Sequence, residues 1–233
     1  MKTIVKPTKR KMSVSIQKRT KDRASGTDYF THDEIVTMLS VLTKRENDML
    51  ANLATQKDGQ KALREAKQER LMFVLALELG TRVNELVGPT GLSWDSFDYE
   101  RKLVEIWDEK KDNHRYCTIP AETWKQLADY KLYLQTHFDM RKEALLFPIS
   151  SKTANRRIKQ WAKEINITRT VRWHMFRHTF VVQSRHVGRD WNYLSIQTGD
   201  RASTLIEIYG KLSIEERQSI ADQKPLLSKE ESS

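Results

Sequence analysis

Trp173-His-Met-Phe-Arg-His-Thr-Phe180, followed by Gly199-Asp-Arg-Ala-Ser-Thr-Leu-Ile-Glu-Ile-Tyr-Gly210, is the stretch that decides how this chain is read. In its first part Phe176, Thr179, Phe180, Gln183 and Val187 recur at helical spacing, and Gly188 stops the helix. His174, Arg177 and His178 ride on that helix. The second part predicts a short helix from Ser203 to Tyr209, after another over Trp191 to Thr198. Taken singly, these side chains are ordinary. A tyrosine behind Leu205 and Ile208 is usually core, and a lone buried histidine is usually a hydrogen-bonded structural group. Their meaning depends on the rest of the chain.

The whole sequence is 233 residues, 38% hydrophobic and 31% charged, with few Gly and Pro. This suits a helix-rich globular protein with a sizeable core rather than a disordered chain. A net charge of +10 points to a polyanionic partner, most often nucleic acid. The single cysteine, Cys117, excludes a disulfide within the chain, argues against a Cys-based zinc site and fits a reducing compartment. No run of about 18 apolar residues is present, so no membrane span is expected. The basic N-terminus lacks the apolar stretch of a secretory signal.

Upstream, residues 1–26 read as a mobile basic arm, with Lys9, Arg10 and Lys11 placed to lie along phosphates, or as a tail without a task. Thr31-His-Asp-Glu34 is a capping box that starts a helix. Lys44 to Arg70 favours helix, carries a thin apolar stripe, and reads as a solvent-facing excursion broken near Asp58-Gly59. Leu71 to Leu79 is a core helix that runs into Gly80-Thr-Arg-Val-Asn-Glu-Leu86, where Gly80 sets Arg82 at a turn. Leu92 to Ile119 reads as β structure, with a first strand through Leu92, Trp94 and Phe97 and a hairpin whose tip is Lys110-Lys-Asp-Asn113. Further helices follow around Trp124 to Leu134 and Ala154 to Ile165, the latter with Arg156, Arg157 and Lys159 on its polar face. Ser213-Ile-Glu-Glu216 is a second capping box.

Gly80-Thr-Arg-Val-Asn-Glu-Leu86, His174-Met-Phe-Arg-His-Thr-Phe180 and Gly199-Asp-Arg to Tyr209 together, in this order, resemble the catalytic domain of tyrosine recombinases, the phage-integrase family. His-x-x-Arg-His-Thr is the most specific of the three. The resemblance covers about Tyr29 to Leu227. It implies a mainly α fold with a small antiparallel β-sheet, with a catalytic domain over 27–212 and a C-terminal helix and tail over 213–233 that docks on a neighbouring protomer or folds back on its own.

Carried over by position, the resemblance makes Arg82 and Arg177 the two catalytic arginines and His174 the histidine of His-x-x-Arg. Tyr209 becomes the nucleophile, and Lys110 or Lys111 the hairpin lysine. Alternation from Val104 and Ile106 favours Lys110; counting back from Pro120 favours Lys111. Glu85 either positions Arg82 or acts chemically, and His178 is mainly structural, either orienting Arg177 or contacting the phosphate directly. One residue departs from the pattern: Asp200 stands where the family usually has His or Trp. It either caps the helix toward Tyr209 or alters the catalytic step, and Arg201 is a candidate replacement donor. The implied reaction is metal-independent breaking and rejoining of DNA through a 3′-phosphotyrosyl link, with no cofactor. The implied partner is double-stranded DNA, on which protomers assemble into a tetrameric synapse from free monomers, in the cytoplasm with the nucleoid. A type IB topoisomerase-like enzyme and a non-catalytic regulator of recombination are the rival readings.

Overall fold

The computed structural model describes residues 28–55, 58–109, 111–139 and 144–210. The first helix, α1 (His32–Ala51), starts at the expected capping box: the Glu34 backbone N–H donates to Thr31 Oγ1, and Thr31 N–H donates back to the Glu34 carboxylate. Asp58, in left-handed conformation, precedes α2 (Gly59–Leu79), which packs along α1. The expected break near Asp58-Gly59 is there, but the excursion into solvent is not. Leu63, Ala66 and Gln68 are buried, and Glu46 on α1 is buried against Lys67 at 2.7 Å and Arg70 at 2.5 Å. The polar residues of this segment pair with one another across the two helices, which lets a sequence with a thin apolar stripe pack.

After the short α3 (Val83–Leu86), the chain makes a 3-10 turn over Trp94–Ser96 and enters a three-stranded antiparallel sheet: β1 (Phe97–Asp98), β2 (Leu103–Asp108) and β3 (Asn113–Cys117), in that spatial order. The first strand is therefore shorter than the sequence predicts. Ser93 and Ser96 cap the turn, while Leu92 and Trp94 exchange backbone hydrogen bonds with the segment around Leu145 instead of with β2. The register pairs Val104 with Cys117 and Ile106 with Arg115, so Val104, Ile106 and Asp108 all face inward. Three longer helices and two short ones follow: α4 (Ala121–His137), α5 (Ser151–Glu164), α6 (His174–His186), α7 (Trp191–Thr198) and α8 (Ala202–Tyr209).

The buried side chains form a large core and a small one. Phe30, Phe73, Trp161, Trp173 and Phe176 make aromatic contacts in the large core, with ring centroids 5.1–5.9 Å apart. Phe180, Val181, Leu194 and Leu205 make the small one. Helix α6 belongs to both, with Met175 and Phe176 in the first and Phe180 and Val181 in the second. Its polar residues therefore lie where the two cores meet.

Candidate active site

Gly80 ends α2 with φ +57, and a Cβ built there would stand 2.6 Å from the Phe180 ring, so the position accepts only glycine. The turn does two things. It sets Arg82 at the N-cap position of α3, and it aims the Gly80 carbonyl at Arg177, whose Nη1 donates to it at 3.0 Å. Arg177 is 2% exposed and fixed from a second side, since Nη2 donates to the Thr198 carbonyl at 2.6 Å. Glu85 receives the Arg82 backbone N–H at 2.8 Å and Arg82 Nη1 at 2.8 Å. The two arginines, which are far apart in sequence, thus come to one place.

That place is occupied by Asp200. Its Oδ1 accepts from Arg82 Nη2 at 3.0 Å, and its Oδ2 accepts from Arg177 Nε at 3.1 Å and Nη2 at 2.5 Å. The expectation that Asp200 caps the last helix is therefore corrected. The N-cap of α8 is Arg201, which makes no side-chain cap bond. Two guanidinium groups outcompete a helix N-terminus for the carboxylate, because each carries a full positive charge in bonding geometry whereas the helix end offers a partial charge of roughly +0.5. Burial alone would raise the Asp200 pKa, but Arg177 and then Arg82 hold it below the usual carboxylate value. Burial likewise opposes the charge on Arg82, yet Glu85, Asp200 and Asp108 more than offset it. For Arg177 burial prevails and lowers the pKa, with Asp200 acting against it. Arg201 is exposed.

Tyr209 ends α8, and its hydroxyl is hydrogen-bonded to His178 Nδ1 at 2.5 Å. His178 in turn meets the His174 ring edge-on, with centroids 4.5 Å apart. The tyrosine thus contacts His178, and His178 contacts His174 one helical turn earlier on α6, where the charges of Arg177, Asp200 and Arg82 act on the His174 ring. The immediate partner of the phenol is His178, which the sequence reading assigns mainly to structure. His174 as a residue is exposed, but desolvation of its ring, then the neighbouring His178 and Arg177, push its pKa down to about 4, with Asp200 acting in the opposite direction. At neutral pH His174 is an uncharged imidazole.

The hairpin closes the site from the other side. Lys111 Nζ donates to the Gly199 carbonyl, next to Asp200. Lys110 lies outside the described residues. Three further residues belong to the arrangement. Arg115 on β3 donates to both Glu85 oxygens, at 3.1 and 2.8 Å, and to the Gln197 carbonyl at 3.0 Å. Asp108 on β2 accepts from Arg82 at 3.3 Å. Gln197 on α7 bonds the Thr118 backbone N–H and carbonyl, tying the sheet to the helix that leads into Asp200. The signal for Arg115 and Asp108 was their register, since both fall in phase with inward-facing Ile106 and Cys117, where a charge needs a buried partner.

Among the candidate contacts to a polyanion, Arg156 and Lys159 are exposed on α5, in line with exposed Lys152 and Lys163. Arg157 is half-buried and pairs with Glu69 at 3.3 Å. Lys9, Arg10 and Lys11, and the segment 213–233, lie outside the described residues. Cys117 is buried, and burial pushes its thiol up to about 11, which gives it a packing role. Among the described residues, no helix is long and apolar enough to cross a membrane, and no three His, Cys, Asp or Glu side chains are grouped to hold a metal ion.

Comparison with known proteins places the chain in a family and agrees with the fold. A family model described as "Phage integrase family" matches residues 28–197, a span that holds Arg82, Lys111, His174, Arg177 and His178 and stops short of Asp200 and Tyr209. The chain is 28% identical over 156 residues to tyrosine recombinase XerA of Thermococcus onnurineus (strain NA1), a match that takes in 64% of this chain and 52% of that protein. The chain therefore spans about half the length of this curated relative. Among solved structures, it superposes on a XerA recombinase with a TM-score of 0.61 and 19% identity, over 86% of this chain and 64% of that one. It superposes on a XerH site-specific recombinase, bound to its difH substrate in a pre-cleavage complex, with a TM-score of 0.60 and 18% identity, over 83% of this chain and 53% of that one. With a family model matched over most of its length, and the arginine pair, the histidines and the tyrosine gathered on a mainly helical fold with one small antiparallel sheet, the chain belongs to the phage integrase family.

Proposed function

We propose that this chain breaks and rejoins DNA strands as a site-specific recombinase, with Tyr209 as the nucleophile and the region 27–212 as its catalytic domain. The observation that carries the reading is the convergence of Arg82 and Arg177 on a single anion position, with Arg177 on the helix α6 that also presents His178 to the Tyr209 hydroxyl. Two planar guanidinium forks suit the non-bridging oxygens of a phosphodiester, which a lysine cannot grip in the same way. The Tyr209 oxygen attacks phosphorus, the bond from phosphorus to the 5′-oxygen breaks, and a 3′-phosphotyrosyl link forms. The phenolic proton passes to His178, whose Nδ1 is in hydrogen-bond contact with the Tyr209 hydroxyl. The hairpin lysine protonates the departing 5′-oxygen. Attack by the 5′-hydroxyl of a partner strand reverses these steps.

The XerH recombinase was captured with its difH substrate and a Tn1549 transposon integrase with a circular intermediate DNA, which supports DNA, in our reading double-stranded, as the partner. Exchange between two duplexes further requires several protomers on DNA, a tetrameric assembly formed from monomers. Asp200 favours a second reading, because a carboxylate that stays between the arginines leaves a DNA-binding regulator without strand cleavage. A nicked duplex that sheds its short 3′ fragment after cleavage decides between them. Wild-type protein should become covalently attached to the DNA, and Tyr209→Phe should not. Absence of adduct from wild type supports the regulator. Exchange between two duplexes, as opposed to relaxation of one, distinguishes a recombinase from a type IB topoisomerase-like enzyme.

A further inference from the structure

The anion position between Arg82 and Arg177 is filled by the chain itself. Asp200 offers one oxygen to each arginine, three hydrogen bonds in all, in the two-pronged manner in which a phosphodiester would offer its non-bridging oxygens. We propose that Asp200 is an internal stand-in for the phosphate: it holds the two guanidinium groups in receiving geometry in the free protein, and it must vacate the slot before a phosphodiester enters. The proposal deepens the function proposed above and rests on it for the identity of the incoming anion.

The surroundings fit a side chain that exchanges. The backbone of Asp200 is anchored, since its N–H donates to Thr198 Oγ1 at 3.2 Å and its carbonyl accepts from Ser195 Oγ at 2.7 Å. Only the short side chain needs to rotate, and that side chain is 28% exposed where Arg177 is 2% exposed. Arg177 by contrast is gripped by the Gly80 and Thr198 carbonyls, and Arg82 by Glu85 and Asp108, so the donors stay when the carboxylate leaves. Asp200 and a phosphodiester cannot share the slot. Both are anions, both need Arg82 Nη2 and Arg177 Nη2, and side by side they repel.

The outcome is a threshold. DNA engages the site only when its phosphate, helped by contacts elsewhere on the duplex, competes successfully with a carboxylate already in place. Removal of that charge should lower the threshold. Asn at position 200 keeps the size of the side chain and removes its charge.

The test has two readouts. In a Tyr209→Phe background, where no chemistry occurs, inorganic phosphate is titrated calorimetrically into protein with Asp or Asn at position 200. Asp200→Asn should bind at least about tenfold more tightly, the change that corresponds to removal of one competing charged group. With Tyr209 intact, Asp200→Asn should also form adduct on the nicked duplex faster. Equal or weaker phosphate binding by Asp200→Asn overturns the proposal. Asp200→Ser repeats the comparison if the Asn protein does not melt cooperatively. If neither variant folds, Asp200 is a structural tie and the proposal is overturned. Lack of adduct from every protein, with the phosphate difference intact, sinks the strand-cleavage reading and leaves the displaced carboxylate standing.

Discussion

Arg177 shows how one side chain can be both scaffold and candidate catalyst. Its Nη1 and Nη2 hold the Gly80 and Thr198 carbonyls while Nε and Nη2 face the anion slot. Arg177→Lys keeps a charge but cannot reproduce the fork, so we expect a loss of about 10²–10³ in the rate of adduct formation, together with a lower melting temperature. His174 allows a separate test by pH. Its folded pKa of about 4 lies below the ordinary histidine value of 6.5. The unfolded chain therefore takes up a proton that the folded protein refuses, and stability falls as pH drops from about 6.5 to 4. In His174→Gln that part of the loss should vanish, measurable as a shallower fall in melting temperature across the window. An equal fall in both proteins would mean that the ring is not held neutral.

At the scale of elements, the site depends on a glycine turn and a buried ionic knot. Gly80→Ala combines a positive φ with a Cβ 2.6 Å from the Phe180 ring, so it should both destabilise the protein and move Arg82. Glu85 is 5% exposed and serves Arg82 and Arg115 at once. Glu85→Gln leaves two guanidinium groups short of their counter-charge, and a denaturation curve should show a loss of about 3–5 kcal/mol. These elements were legible in the sequence to very different degrees. The capping box at Thr31, the break at Gly80 and the helix carrying His174 and Arg177 follow from local rules that act within a few residues. The pairing of Tyr209 with His178, the grip of Asp200 on both arginines, and the reach of Arg115 to Glu85 join residues 23–118 positions apart. Only packing brings them together. The local N-cap rule failed at Asp200 because two distant charges outweighed it, and the burial of Glu46 was hidden because its cations sit on another helix.

Across the whole molecule, the net charge of +10 has to be presented to the partner somewhere. The exposed Lys152, Arg156, Lys159 and Lys163 form one face of α5, the surface on which the proposed contact with the DNA backbone is tested. Arg156→Glu with Lys159→Glu should weaken binding about equally for all DNA sequences and reduce the slope of log K against log salt by about 0.9 for each phosphate no longer neutralised. Arg157→Glu should instead cost stability, since Arg157 is committed to Glu69. The large core, the small core and the hairpin meet around Arg82 and Arg177, with Tyr209 held on His178 of the same helix as Arg177, and on the proposed function the Tyr209 oxygen is the nucleophile toward phosphorus. The most direct measurement is peptide mapping by mass spectrometry of the adduct formed on a nicked duplex. The nucleotide should be carried by the tryptic peptide 202–211, on Tyr209. A nucleotide found on any other residue rules out Tyr209 as the nucleophile.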